Sequence, residues 1–215
     1  FVGKRRLEKA LGDRPAVVRW HPFELNSDMP REGVDRKPYY TEKFGSWERA
    51  QQLEARVAAA GRDEGIEFQF DRVSRIPNTL DAHRLIHLAG ERDAQDAVVE
   101  SLFRAYFLDG RDLTDPATLA TAATEAGLDR EEVDELLAGD AGLEVVRAVE
   151  DQVRRAGVSS VPMFIINGRV VLSGAQPSEV FEQAFDQADA KAAVGESCEI
   201  DPKTARKIRK ALGLD

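Results

Sequence analysis

Few side chains in this sequence can do nucleophilic or metal chemistry, and most of them stand apart. Cys198 is the one cysteine in 215 residues, so the chain forms no internal disulfide. As a thiolate it is a candidate for disulfide exchange; in the loop VGESCEID it reads equally well as a tolerated thiol. Of the three histidines, His21 is isolated, while His83 and His87 are four residues apart and share a helix face. The HxxxH pair lacks the glutamate of HExxH and a third ligand, so no metal site is expected. More promising is GVSSVPMFIINGRVVLSGAQ, Gly157 to Gln176. Two β-branched runs flank Asn167-Gly168, a strong short-range hairpin signal. Pro162 stands at the mouth of the first run. Proline donates nothing to a ladder and is pushed to strand ends and edges. Ser160 and Val161, just before it, are candidates to present backbone groups outside the sheet. The simpler reading is an ordinary trans proline on an edge strand.

Composition narrows the class. Hydrophobic residues make up 42% and charged residues 32%, enough apolar material for a core. No run approaches the roughly 18 apolar residues of a membrane span, so no membrane partner is expected. The net charge of −9 argues against nucleic acid as a partner, because phosphate binding needs basic surface. The acid concentrates between Asp109 and Asp151, thirteen carboxylates against Arg111, Arg130 and Arg147, and reads as solvated helix faces. The chain opens at Phe1 rather than methionine, so a preceding segment is expected.

The elements that must position these residues follow from periodicity and punctuation. Residues 1–12 predict a helix closed by Gly12. Val17 to Leu25 predicts a strand, Asn26 to Pro38 a loop, and Ser46 to Ala60 a helix that turns Trp47, Leu53 and Val57 inward and ends at Gly61. Ile66 to Phe70 predicts a short strand. From Thr79 to Gly157 every segment is helical, with Thr79, Asp115-Pro116 and Asp129 as start signals. The hairpin Met163–Ile166 and Val170–Leu172 follows, then a helix opened by Gln176-Pro177. A last short helix is expected after Asp201-Pro202. This order describes a small α/β sandwich split by a helical insertion. The strand that should precede the first helix is expected upstream of Phe1.

Three stretches carry a family resemblance: GKRRLEKAL at Gly3 to Leu11, NTLDAHRL at Asn78 to Leu85, and GVSSVPMFIINGRVVLSGAQ. With these the chain resembles the DsbA family of thioredoxin-like oxidoreductases, in particular its FrnE-like, largely cytoplasmic branch. The resemblance implies an α/β thioredoxin-like fold with an inserted all-helical subdomain. The thioredoxin-like part would comprise 1–78 and 157–190, the insertion 79–156, and 191–215 a tail with a short basic helix. It also implies a Cys-x-x-Cys pair just before Phe1, a cis-proline at Pro162, and a cytoplasmic protein that exchanges thiols with protein or peptide disulfides and needs no cofactor. Val161 and Ser160 would then hold substrate backbone. Asn78 and His83, at the start of the insertion, would line the groove; alternatively Asn78 is turn chemistry and His83 a packed helix residue. Two other functions stay open on this fold. One is a glutathione-dependent isomerase or transferase of the 2-hydroxychromene-2-carboxylate isomerase or kappa type. The other is a redox-dead module that binds peptides at the Val161-Pro162 edge.

Overall fold

The computed structural model describes residues 1–194. The chain folds in the order α1 (Val2–Leu11), β1 (Val34–Asp35), α2 (Arg36–Phe44), α3 (Trp47–Arg62), a 3-10 turn (Phe70–Arg72), β2 (Arg75–Ile76), α4 (Leu80–Gly90), α5 (Gln95–Phe107), α6 (Pro116–Glu125), α7 (Arg130–Ala138), α8 (Leu143–Arg155), β3 (Met163–Ile166), β4 (Val170–Ser173) and α9 (Ser178–Val194). It divides into two compact units. Among the described residues, one holds Phe1–Leu25 and Arg147–Val194; the other holds Asn26–Val146. Among the described residues no helix is long and apolar enough to cross a membrane.

The first unit is built on the β3–β4 hairpin. Asn167 and Gly168 both take positive φ, 49° and 63°, which makes the tight turn that the dipeptide predicts. The register pairs Phe164 with Leu172 and Ile166 with Val170, so these four side chains share one face. α1 and α9 cover that face. Leu7 and Ala10 meet Phe181 and Phe185 there, against Phe164, Ile166 and Leu172. Phe164 stands edge-on to Phe181 at 4.7 Å between ring centroids, the arrangement the ring quadrupoles favour.

The second unit packs α4 to α7 around Leu85, Ala89, Val98, Leu102, Leu119, Ala123, Val133 and Leu136. Its local signals act as expected. Asp115 accepts from the Ala117 and Thr118 amides, with Pro116 in the first turn, and Asp129 accepts from the Glu131 and Glu132 amides. Thr79 occupies the N-cap position of α4 without a side-chain bond; Asn78 Oδ1 instead accepts from the Leu80 amide at 2.9 Å. The Arg84 guanidinium is buried and donates to the carbonyls of Leu136, Gly139 and Ala141, tying α4 to the chain end of α7.

Several expectations need correction. Val17–Leu25 lies in no ladder; an extended segment becomes a strand only when a neighbouring strand pairs with its backbone, and among the described residues none does. Ile66–Phe70 is also not a strand. The Gln69 amide bonds the Phe107 carbonyl, and Phe68 and Phe70 join Phe107 in an aromatic cluster, which draws this stretch to α5. The expected loop Asn26 to Pro38 already contains β1 and the start of α2, because Pro38 falls in the first turn, where proline is tolerated. Gly61 does not end α3: it lies within it, buried, where an added Cβ would come 2.4 Å from the Phe68 ring. Leu53 and Val57 face solvent, not the interior. The second compact unit, Asn26–Val146, holds α2, α3, β1 and β2 as well as α4 to α7. Cys198 and the helix expected after Asp201 lie outside the described residues, as does the expected tail beyond Val194.

Candidate functional site

The hairpin mouth and the first turn of α1 meet in the first unit. The chain leaves α8 through Ala156 and Val158, both buried, and then runs exposed through Ser159, Ser160 and Val161. The Val161–Pro162 peptide bond is cis. The Pro162 carbonyl accepts from the Gly174 amide at 2.8 Å, which closes the open end of the hairpin. Val161 is 43% exposed, and among the described residues no hydrogen bond engages its backbone. An N–H and a C=O thus stand at the sheet margin, able to pair with an extended chain.

α1 approaches this margin through Gly3. A Cβ at Gly3 would lie 3.0 Å from Phe164 Cζ, 3.2 Å from Pro162 Cγ and 3.5 Å from Ala175 Cβ. Glycine here serves close packing, not backbone freedom. The first turn of α1 therefore sits directly on Pro162. Amides in the first turn of a helix have no carbonyl of their own helix to bond and carry positive partial charge. α1 has no acidic side chain in that turn, and Phe1 contributes no side-chain cap, so the helix end favours an anion. A thiolate placed there is stabilised and its pKa falls.

The basic run that opens α1 is committed to structure. Lys4 is buried and pairs with Glu8. Arg5 also reaches Glu8, at 2.8 Å, and lies 4.7 Å from the Phe1 ring centroid. Arg6 Nη1 donates to the Ala175 carbonyl at 2.7 Å, so α1 is bonded to the loop that follows β4.

Of the residues expected at the site, the structure packs Pro162 against Gly3 in the N-terminal turn of α1, and Ser160 and Val161 run exposed just before it. Asn78 and His83 belong to the other compact unit. The Asn78 amide uses both ends locally: Nδ2 donates to the Met29 carbonyl at 2.7 Å while Oδ1 caps Leu80. His83 is half-buried in the first turns of α4, and His87 Nε2 faces Glu91 at 3.9 Å. Among the described residues no three potential metal ligands cluster. Sequence reasoning missed the roles of Gly3 and Arg6; the hairpin's proline was the visible half of a contact whose other half lies far away in the chain.

The profile of the DSBA-like thioredoxin domain family matches residues 1–186. The uncharacterised protein YwbO of Bacillus subtilis is 31% identical over 193 residues, covering 89% of this chain and 92% of that one. The crystal structure of a probable DsbA oxidoreductase from Streptomyces coelicolor superposes with a TM-score of 0.81 at 37% identity, over 88% of this chain and 84% of that one.

Proposed function

The chain belongs to the DSBA-like thioredoxin domain family, and from that membership we propose that it works as a thiol–disulfide oxidoreductase on protein or peptide disulfides. The observation that carries the reading is the seat of α1 on Pro162. It puts an electropositive helix end beside an exposed backbone edge at Val161. The reactive group proposed for that helix end is a Cys-x-x-Cys pair immediately before Phe1, as in the FrnE-like branch. One thiolate attacks a sulfur of the substrate disulfide, and a mixed disulfide forms as the other substrate sulfur leaves as a thiolate. The second cysteine of the pair then displaces the substrate sulfur. Two electrons pass from the pair to the substrate; the reverse sequence oxidises a substrate dithiol. The Val161 edge would hold the substrate backbone during both attacks.

Insulin reduction by the protein carrying the proposed Cys-x-x-Cys pair before Phe1, in the presence of a thiol reductant, tests this. Turbidity should develop with the full protein and not with residues 1–215 alone. Glutathione-dependent isomerisation or conjugation without disulfide exchange would replace this reading with the isomerase or transferase one.

A further inference from the structure

Two carboxyl groups far apart in the chain meet inside the first unit. Glu24 and Glu150 are each only 5% exposed. Glu150 accepts the backbone N–H of Glu24. Arg154, one turn further along α8, donates to the Glu24 carbonyl and places its guanidinium 4.4 Å from the Phe23 ring centroid. Glu24 lies one residue before the chain leaves this unit, and Glu150 three residues after it returns. The thiol chemistry proposed above uses neither residue.

Ionised carboxylates only accept hydrogen bonds, so two that meet in one buried place can bond each other only while one of them carries a proton. Burial makes the fully ionised pair costly, since two like charges would share a site with little water. We propose that Glu24 and Glu150 form a proton-dependent latch that fastens the Phe23–Leu25 segment to α8 when one proton is shared and releases it when that proton leaves. Three charged groups act on the Glu24 carboxyl, all from α8. Burial and then Glu150 push its pKa up from the ordinary 4.5 to about 7, against the opposing pull of Arg147 and Arg154. The sign follows: the folded pKa is raised, so the latch is closed below about pH 7 and opens as pH rises through that value. His21, two residues before that segment, has its pKa lowered by desolvation and by Arg19, so it titrates on the acid side of 6.5.

The test is hydrogen exchange at the Glu24 amide in the full protein, referred at each pH to the unstructured rate. In the wild type, protection should fall by about tenfold between one unit below and one unit above the midpoint, the span over which a single proton is lost. Glu24→Gln replaces the shared proton with a permanent amide donor and should hold protection constant across that range. An equal fall in Glu24→Gln, or none in the wild type, overturns the latch. Carbon-detected titration of the wild-type glutamate carboxyls decides the matter even if the variant fails to fold. One carboxyl should titrate near neutrality and move to lower pH in Glu150→Gln; if every glutamate titrates in the ordinary range, the proposal is wrong. Neither readout involves thiol exchange, so it stands or falls separately from the proposed function.

Discussion

Arg84 shows how much a single buried charge can organise. Its guanidinium satisfies three carbonyls near the end of α7 and also pairs with Asp81 at 2.7 Å. Removing it strands those acceptors in an apolar setting. Arg84→Ala should cost about 3–5 kcal/mol in urea unfolding, the range for breaking a buried ion pair. Arg84→Lys should recover little, because an ammonium cannot fork to acceptors in several directions. A loss below about 1 kcal/mol for Arg84→Ala would show the carbonyls finding water. None of this was legible in NTLDAHRL, where Arg84 looks like one more surface charge. Nor was the meeting of Glu24 with Glu150. Both depend on partners more than fifty residues away, and periodicity carries no information over that distance. The cis bond at Pro162 was expected only from the family resemblance; the residues alone read as an ordinary trans proline at an edge.

At the scale of elements, local chemistry predicted well wherever a structure closes on itself. The β3–β4 turn, the Asp115 and Asp129 caps and the run of helices α4 to α8 all follow from residues within four positions of one another. Asp115→Ala should cost about 1 kcal/mol. The hydrogen bond from Thr118, with the amides of Ala117 and Thr118, holds the Asp115 carboxyl below its usual pKa of 3.8. Its contribution is therefore present above about pH 4 and is lost as pH falls through the lowered folded value. Acid-unfolding curves of wild type and Asp115→Ala should converge in that range; a constant gap down to lower pH would contradict the cap. Prediction failed where an element needs a distant partner. Val17–Leu25 has the residues of a strand but among the described residues no ladder, and Gly61 looked like a helix end because Phe68, the ring that demands it, lies beyond the helix. Gly3 is the same lesson at the site. Gly3→Ala forces Phe164 or Pro162 to move and should cost about 1–3 kcal/mol, with a fall in disulfide exchange larger than the stability loss explains. Unchanged stability would mean that the hairpin mouth yields freely.

At the scale of the molecule, the chain crosses from one compact unit to the other at Leu25–Asn26 and returns at Val146–Arg147. The residues of the candidate site, Gly3, Ser160, Val161 and Pro162, all lie in the first unit, and the family match runs through both. The thioredoxin-like class and the helical insertion were legible as an order of elements. That α2 and the aromatic stretch around Phe68 fall in the same compact unit as α4 to α7 was not legible, because they reveal it only through packing. The central claim is that disulfide exchange occurs at the N-terminal turn of α1 with substrate held along Val161. A trapped mixed disulfide tests it most directly. The full protein, with the second cysteine of its proposed pair replaced by serine, is loaded with a peptide disulfide and followed by hydrogen exchange. The account predicts a stable mixed disulfide and new protection of the Val161 amide. A mixed disulfide that leaves the Val161 amide unprotected, or no mixed disulfide at all, would contradict it.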